Sequence, residues 1–428
     1  MISVQNHLQR LSGNKLILGM MGLLLFFGAC SPKTTGVLRS PEHRGGVAGT
    51  TTPKEEESTK ESKTTDATLD AKKAEALRNN IALILPFQLD RVNPSGLSKE
   101  DVTRSALALD FYQGLQLGLD QLSEEGKSFS LNVLDSKDDE MHSAAIARSE
   151  KISNAAIVIG PVYPKEIKTF GTNLGNKRVL QINPLAASKA SDFGLPNLVS
   201  VTPSIDVHMK AIAAKVAKDY SSLDEVIIYN TSDNDGRQFL QGFAAALRSL
   251  KSAIQVKSVS NIEELNEALT PTGKNLLIAG TTDRFQLRTL LNNLEKKSSE
   301  ELYKFKLYGH PLWDRIDFSS FSSFSSYSPT ITAESHLMTW SADAEKFKEQ
   351  YYTLYGVNPS DHSYKGYDAA IYFGSLLSKH GDKYADYITK ESFDGLFSSY
   401  KFEYDDRAGY VNQAVSYKTY KGSSFQLN

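Results

Sequence analysis

The sequence predicts an α/β protein in two lobes, each a parallel sheet with helices on both faces, preceded by a disordered tether. Three observations carry this. From position 81 onward, short apolar β-branched runs alternate with longer runs whose apolar residues recur at helical spacing. Strands alternating with helices of this length imply right-handed βαβ crossovers, which set strands parallel and bury both faces of the sheet. The region from 81 to the end is about 350 residues, more than one core accommodates, so two cores are expected.

The run IALILP at 81–86 reads as a buried strand. A helix is expected over 104–122, with Leu107, Phe111, Leu115, Gly118 and Leu122 on one face. A strand at 130–134, a helix at 142–152, a strand at 156–160 (AIVIG), a helix at 165–174 and a strand at 179–182 follow. Next come a helix at 207–220, a strand at 226–229 (VIIY), and a helix at 237–250 turning Phe239, Gly242, Phe243, Ala246 and Leu250 inward. Strands at 255–259, 275–279 and 306–308 have helices between them. The C-terminal part breaks the rhythm: helices at 342–355 and 364–379 are consecutive, then 399–404 and 413–417 read as a hairpin joined through 405–409. The segment FSSFSSFSSYS at 318–328 has a three-residue period that suits neither strand nor α-helix, and reads as a surface loop whose aromatics tuck back onto the protein.

The N-terminus sets the compartment. Arg10 and Lys15 precede the uncharged run LILGMMGLLLFFGA, whose 14 residues suit a signal h-region. A bilayer span needs about 20. The run stops at Phe27-Gly28-Ala29-Cys30, and Cys30 is the single cysteine, which excludes an intrachain disulfide. Small residues before a cysteine resemble the lipobox of bacterial lipoproteins. The resemblance implies a signal peptide at 1–29 and lipidation of Cys30, with acyl chains inserting at about 0.8 kcal/mol per buried methylene. Ser31 implies the outer membrane, so the expected location is the periplasmic face of the bacterial cell envelope. Residues 30–79 are rich in Ser, Thr, Lys, Glu and Gly, too polar to offset their ordering entropy, and read as the tether; 69–77 has helical character.

Charge and motifs exclude several functions. The 48 basic and 50 acidic residues balance, so no field points to nucleic acid. G-x-S-x-G, H-E-x-x-H, C-x-x-C and Walker patterns are missing from the sequence. Asp233-Asn234-Asp235-Gly236 suggests a calcium loop, but Gly242 stands where its bidentate Glu belongs. No enzyme, metal or cofactor is therefore expected.

Four passages, in this order and spacing, resemble the type 1 periplasmic binding proteins, especially the leucine/isoleucine/valine-binding branch. They are IALILPF at 81–87, AAIVIGPVYP at 155–164, EVIIYNTSDNDGRQFLQGFAAAL from Glu225, and FKEQYYTLYGVNPSDHSYKGYDAAIYF from Phe347. The resemblance implies the type 1 periplasmic-binding fold, two Rossmann-like lobes across a cleft. Lobe 1 is expected at 80–201 plus 335–392 and lobe 2 at 202–334 plus 393–428, with crossings near Val201-Thr202, 330–338 and 393–397. It also implies hinge closure on a small ligand, an amino acid or related molecule, delivered to an ABC transporter. Positions after predicted strand ends make Phe87, Tyr163, Asn183, Ala186, Ser188, Asp235, Arg237, His310 and Trp313 the candidate ligand contacts. Pro161-Val162-Tyr163-Pro164 stands where amino-acid binders carry small hydroxyl residues, and Ala187 where a Thr would help. The frame is kept; standard α-amino-acid recognition is not supported. The alternative partner is a peptidoglycan synthase, contacted by a binding-fold lipoprotein without a transport role, as the His310-Pro311-Leu312-Trp313 region also suggests.

Overall fold

The structure is a computed structural model and describes residues 62–428. The signal peptide, Cys30 and the first part of the tether lie outside the described residues. Among the described residues no helix is long and apolar enough to cross a membrane.

Two seven-stranded sheets organise the chain. The first contains β1 (Asn80–Leu85), β2 (Ser130–Asp135), β3 (Ile157–Ile159), β4 (Leu180–Asn183) and β5 (Leu198–Ser200). The second contains β6 (Glu225–Tyr229), β7 (Val256–Val259), β8 (Lys274–Ala279), β9 (Lys304–Gly309) and β10 (Thr330–Ala333). A two-stranded piece, β11 (Phe393–Asp394) and β12 (Ser399–Tyr400), precedes β13 (Phe402–Asp405), β14 (Gly409–Asn412), β15 (Ser416–Lys421) and β16 (Ser424–Leu427). The strand orders are β13-β14-β5-β4-β3-β1-β2 and β16-β15-β10-β9-β8-β6-β7. Strands β1–β5 run parallel to one another in the first sheet, as β6–β10 do in the second. The antiparallel strands lie at one edge of each sheet.

The cores follow from strand alternation. Successive side chains point to opposite faces. In β1, Ile81, Leu83 and Leu85 meet Phe111, Leu115, Phe373 and Leu376 on one face. Ala82 and Ile84 meet Val158 and Phe170 on the other. In the second lobe, Ile227, Leu277 and Leu307 face the core of helix Arg284–Ser298. Val226, Ile228, Leu276 and Ile278 face that of helix Ile205–Asp219. Each such side chain contributes about 1.5–3 kcal/mol on burial.

Several expectations are corrected. Residues 62–78 form a helix, which includes the helical stretch expected at 69–77 and extends it toward the N-terminus into the expected disordered tether, as the Ala-, Lys- and Leu-rich LDAKKAEALR favours. Its end is tied down: Ser128 N–H donates to Glu75 Oε1 at 3.4 Å, and the Asn79 amide donates to the Ser128 carbonyl at 2.9 Å. The helix expected at 237–250 is two, Asn234–Leu240 and Phe243–Leu250, because Gly242 between them sits at φ 79°, where the helix cannot continue. The one expected at 142–152 is likewise split into Glu140–Ala147 and Glu150–Ser153. The hairpin turn expected at 405–409 is present, but its second strand is β14, and Ser416–Lys421 opens a different hairpin in the second sheet. The third passage between the sheets therefore falls between β14 and β15, not at 393–397. Residues 393–397 are held to the first lobe by Asp368, whose buried carboxylate accepts N–H bonds from Leu396, Phe397 and Ser398 at 2.7–2.9 Å. The FSSFSSFSSYS loop does tuck in: Phe318 and Phe324 stack at 4.1 Å, and both are buried with Tyr327.

The first and third passages between lobes meet at one side chain. Asn412 is buried; its amide donates to the carbonyls of Val201 (2.8 Å) and Ser399 (2.9 Å). Its Oδ1 accepts from Lys401 N–H (2.9 Å) and Ala414 N–H (3.0 Å). The second passage is fixed beside it by Lys365–Glu334 at 2.7 Å and by a bridge between Ser335 and Ser398.

Candidate functional site

In open parallel sheets, ligands bind outside the carboxyl ends of the strands. In the second lobe those ends carry a connected polar cluster. Asp233, after β6, caps helix Asn234–Leu240: its Oδ2 accepts from Gly236 N–H at 2.8 Å and from Thr282 N–H, after β8, at 3.4 Å. Thr282 Oγ1 donates to Asp235 Oδ2 at 2.5 Å. Burial pushes the Asp233 carboxyl up, but the neighbouring Thr281 and Thr231 hydroxyls and the bonds from the N–H groups of Gly236 and Thr282 outweigh it and hold it below its ordinary value. Arg237 is exposed and folds back to the Ser232 carbonyl at 2.6 Å. Near Asp235, His310 is buried, and its Nδ1 accepts the Leu312 N–H at 3.1 Å. Its ring meets Phe239 edge-on at 5.4 Å. Burial lowers His310 to about 4 although Asp235 and Asp233 pull the other way, so the ring is neutral.

In the first lobe, Gly160 follows β3 at φ 106°, with the Ile84 carbonyl so close that any Cβ would collide with it. The chain then runs through Val162, in the core, to Tyr163, half-buried at the start of helix Pro164–Asn173. Burial raises the Tyr163 phenol, and Asp138 and Glu166 add to it. Glu166 is buried one turn into that helix, where the Ser143 hydroxyl donates to Oε1 at 3.1 Å. Burial raises its carboxyl against the opposing pull of the Ser143 bond and the nearby Ser136 hydroxyl.

The nine sequence-predicted contacts divide into two sets. Tyr163, Ala186, Ser188, Asp235 and Arg237 keep accessible surface at the strand-end loops. Phe87 (6% exposed), Asn183 (0%), His310 (5%) and Trp313 (0%) do not. Phe87 packs edge-on to Tyr112 at 6.2 Å in the first core. Asn183 uses both polar side-chain atoms on the Ala186 backbone, at 2.8 and 2.9 Å, to close its turn. Trp313 enters the second core beside Phe318 and Phe324, and its indole N–H donates to the Thr281 carbonyl at 2.8 Å. Position after a strand predicts the neighbourhood but not the direction of the side chain, and a large apolar side chain there gains more by turning inward.

Sequence reasoning missed Thr281, Thr282 and Glu166, and gave Asp233 no role. The signal for Asp233 was local: an acidic residue three positions before Gly236, at the start of a run ending in Phe239 and Leu240, is an N-cap pattern. Glu166 carried no such signal, because its burial depends on Ser143 of another helix. Acidic caps recur on these loops. Asp139 accepts His142 N–H at 2.7 Å, and Asp283 accepts Phe285 and Gln286 N–H at 3.1 and 2.8 Å. Helix N-termini that could hold a ligand anion are thus already filled at three loops by the protein's own carboxylates. Helix Pro164–Asn173 has no side-chain cap, but Glu166 lies in its first turn. Among the described residues no three His, Cys, Asp or Glu side chains gather to hold a metal ion.

The family described as "receptor family ligand binding region" matches residues 117–411. No curated protein matches the sequence. Among solved structures, a protein of Rhodospirillum rubrum described as a branched-chain amino acid ABC transporter superposes with TM-score 0.59 at 16% identity, covering 82% of this chain and 99% of that one. An ABC transporter substrate-binding protein of Desulfitobacterium hafniense gives TM-score 0.51 at 18% identity, with the same coverage. At these identities the likeness is one of fold, and it agrees with the two parallel sheets described above. The match over residues 117–411, most of the chain, means that this protein belongs to the receptor family of ligand-binding regions, and the architecture is the type 1 periplasmic-binding fold.

Proposed function

We propose that this chain is a lipid-anchored, extracytoplasmic solute-binding protein that closes its two lobes on a small ligand and serves an ABC transporter. The observation that carries the reading is the hinge. Two lobes with separate cores are joined by three passages of chain, the first and third tied together at Asn412 and the second held by Lys365–Glu334 and the Ser335–Ser398 bridge, so the lobes can rotate without either core being disturbed. The contacts we assign to the ligand are Tyr163, Ala186 and Ser188 from the first lobe and Asp235 and Arg237 from the second. The filled helix caps at Asp139, Asp233 and Asp283 argue against a ligand held by its carboxylate in the manner of a simple α-amino acid.

Anchoring rests on the sequence around Cys30. Cys30→Ala is expected to leave an unlipidated precursor; normal incorporation of labelled palmitate by that variant would refute the anchor. Binding is tested by a thermal-shift screen of the protein against amino acids, small peptides and cell-wall fragments, since a ligand raises the melting temperature by mass action. A hit that Asp235→Asn or Tyr163→Ala weakens supports the reading. Silence across the panel, together with co-purification of a peptidoglycan synthase, refutes it in favour of a protein-contact role.

A further inference from the structure

A groove of about 400 Å³ lies on the first lobe between helices Ala342–Tyr355 and Asp361–His380 and the segment 393–396. It is separate from the strand-end loops, and nothing in the ligand-closure reading uses it. Its volume is at the small end of ligand pockets. Its lining is mixed: Phe347 and Tyr367, both buried, and half-buried Ile371 form an apolar stretch beside Gln121 and Gln350. Its rim is charged and exposed, with Asp343 and Asp394 against the single ammonium of Lys346. A third carboxylate, Asp368, lies beneath, fixed by its three backbone N–H donors. The Tyr367 phenol registers this excess: burial and then the nearby carboxylates of Asp368 and Asp343 push it up to about 12.

We propose that this groove is a second binding site, taking a small amphipathic cation whose aromatic body rests on Phe347, Tyr367 and Ile371 and whose ammonium lies beside Asp343 and Asp394. The apolar stretch supplies affinity and the surplus of carboxylates supplies the sign. Aromatic faces add attraction for a cation. The site also adjoins the hinge. Met338 and Ser341, from the second passage between the lobes, form part of its wall, and the neighbouring His336 N–H donates to the Phe397 carbonyl at 2.8 Å.

The test is calorimetric titration of the full chain with 2-phenylethylamine and with 3-phenylpropionate, which presents the same ring with the opposite charge. Emission of Trp340, exposed and adjacent to Ser341, reports occupancy independently. The amine is expected to bind saturably and the acid at least about ten-fold more weakly. The double variant Asp343→Asn/Asp394→Asn alters only exposed side chains; it should keep the melting temperature of the free protein and weaken the amine about five- to ten-fold. Asp235→Asn, at the strand-end site, should leave amine binding unchanged. No saturable binding of the amine, equal binding of amine and acid, or indifference to the double variant would each overturn the proposal.

Discussion

Trp313 offers the sharpest test, because its place after β9 suggests a ligand contact and the structure makes it core. Its side chain is fully buried, with Phe318 and Phe324 at 5.7 and 6.4 Å between ring centroids and its N–H on the Thr281 carbonyl. Trp313→Ala leaves a large void and is expected to cost about 3–5 kcal/mol. Trp313→Phe keeps most of the ring packing but strands the carbonyl of buried Thr281, which costs about 1–3 kcal/mol. The chain has two tryptophans, and Trp340 is 73% exposed, so a Trp340→Phe background isolates the Trp313 signal. In that background native emission should be blue-shifted and resist acrylamide, and should shift red when urea unfolds the second lobe. Circular dichroism follows the Trp313 variants themselves. If Trp313→Ala costs less than about 1 kcal/mol, or Trp313 is quenched as readily as Trp340, the core assignment is wrong. A ligand-contact role would instead appear as weakened binding at unchanged stability.

Asn412→Ala leaves four backbone groups at the hinge without partners and should cost about 2–4 kcal/mol; small-angle scattering should also register a broader range of lobe separations than in the parent. Asp233→Ala removes an N-cap and should lower the urea midpoint by the equivalent of about 1 kcal/mol, with a larger loss if the Thr282 bond matters too. Burial lowers His208 and His310 from 6.5 to about 4, so each stabilises the fold fully above pH 6.5 and loses that contribution as pH falls toward 4, about 3 kcal/mol apiece. Asp368, raised by burial to about 6, works the other way, its contribution falling as pH rises from about 4 to 6; the melting temperature of Asp368→Asn should therefore drop more steeply on acidification than that of the parent. A flat profile between pH 7 and 5 in that variant would contradict the histidine assignment.

The order of elements was legible in the sequence because it is written in local periodicity. IALILP and VIIY are continuous apolar runs of the kind a strand buried on both faces requires, and both are interior strands. The helix starting at Asn234 could be placed but not its break, since Gly242 in a helical pattern reads equally as tolerated or as a terminus. Short strands such as Leu198–Ser200 and Thr330–Ala333 escaped, because three or four residues carry too little pattern and are strands only by virtue of the neighbours they pair with.

The amino-acid sequence by itself determined two lobes of parallel sheet, the aromatic loop folding back on its lobe, and which residues follow the strand ends. Only the tertiary structure decided which of those side chains face out. It turned Trp313 and Phe87 into core, spent Asn183 on its own turn, buried Glu166 against Ser143, and moved the third passage between lobes to the residues after Asn412. The physical reason is range. Strand and helix propensities act over a few residues, whereas a side chain's direction after a strand, and the lobe that a strand joins, are set by partners far away in the chain, 211 positions for Asn412 and Val201.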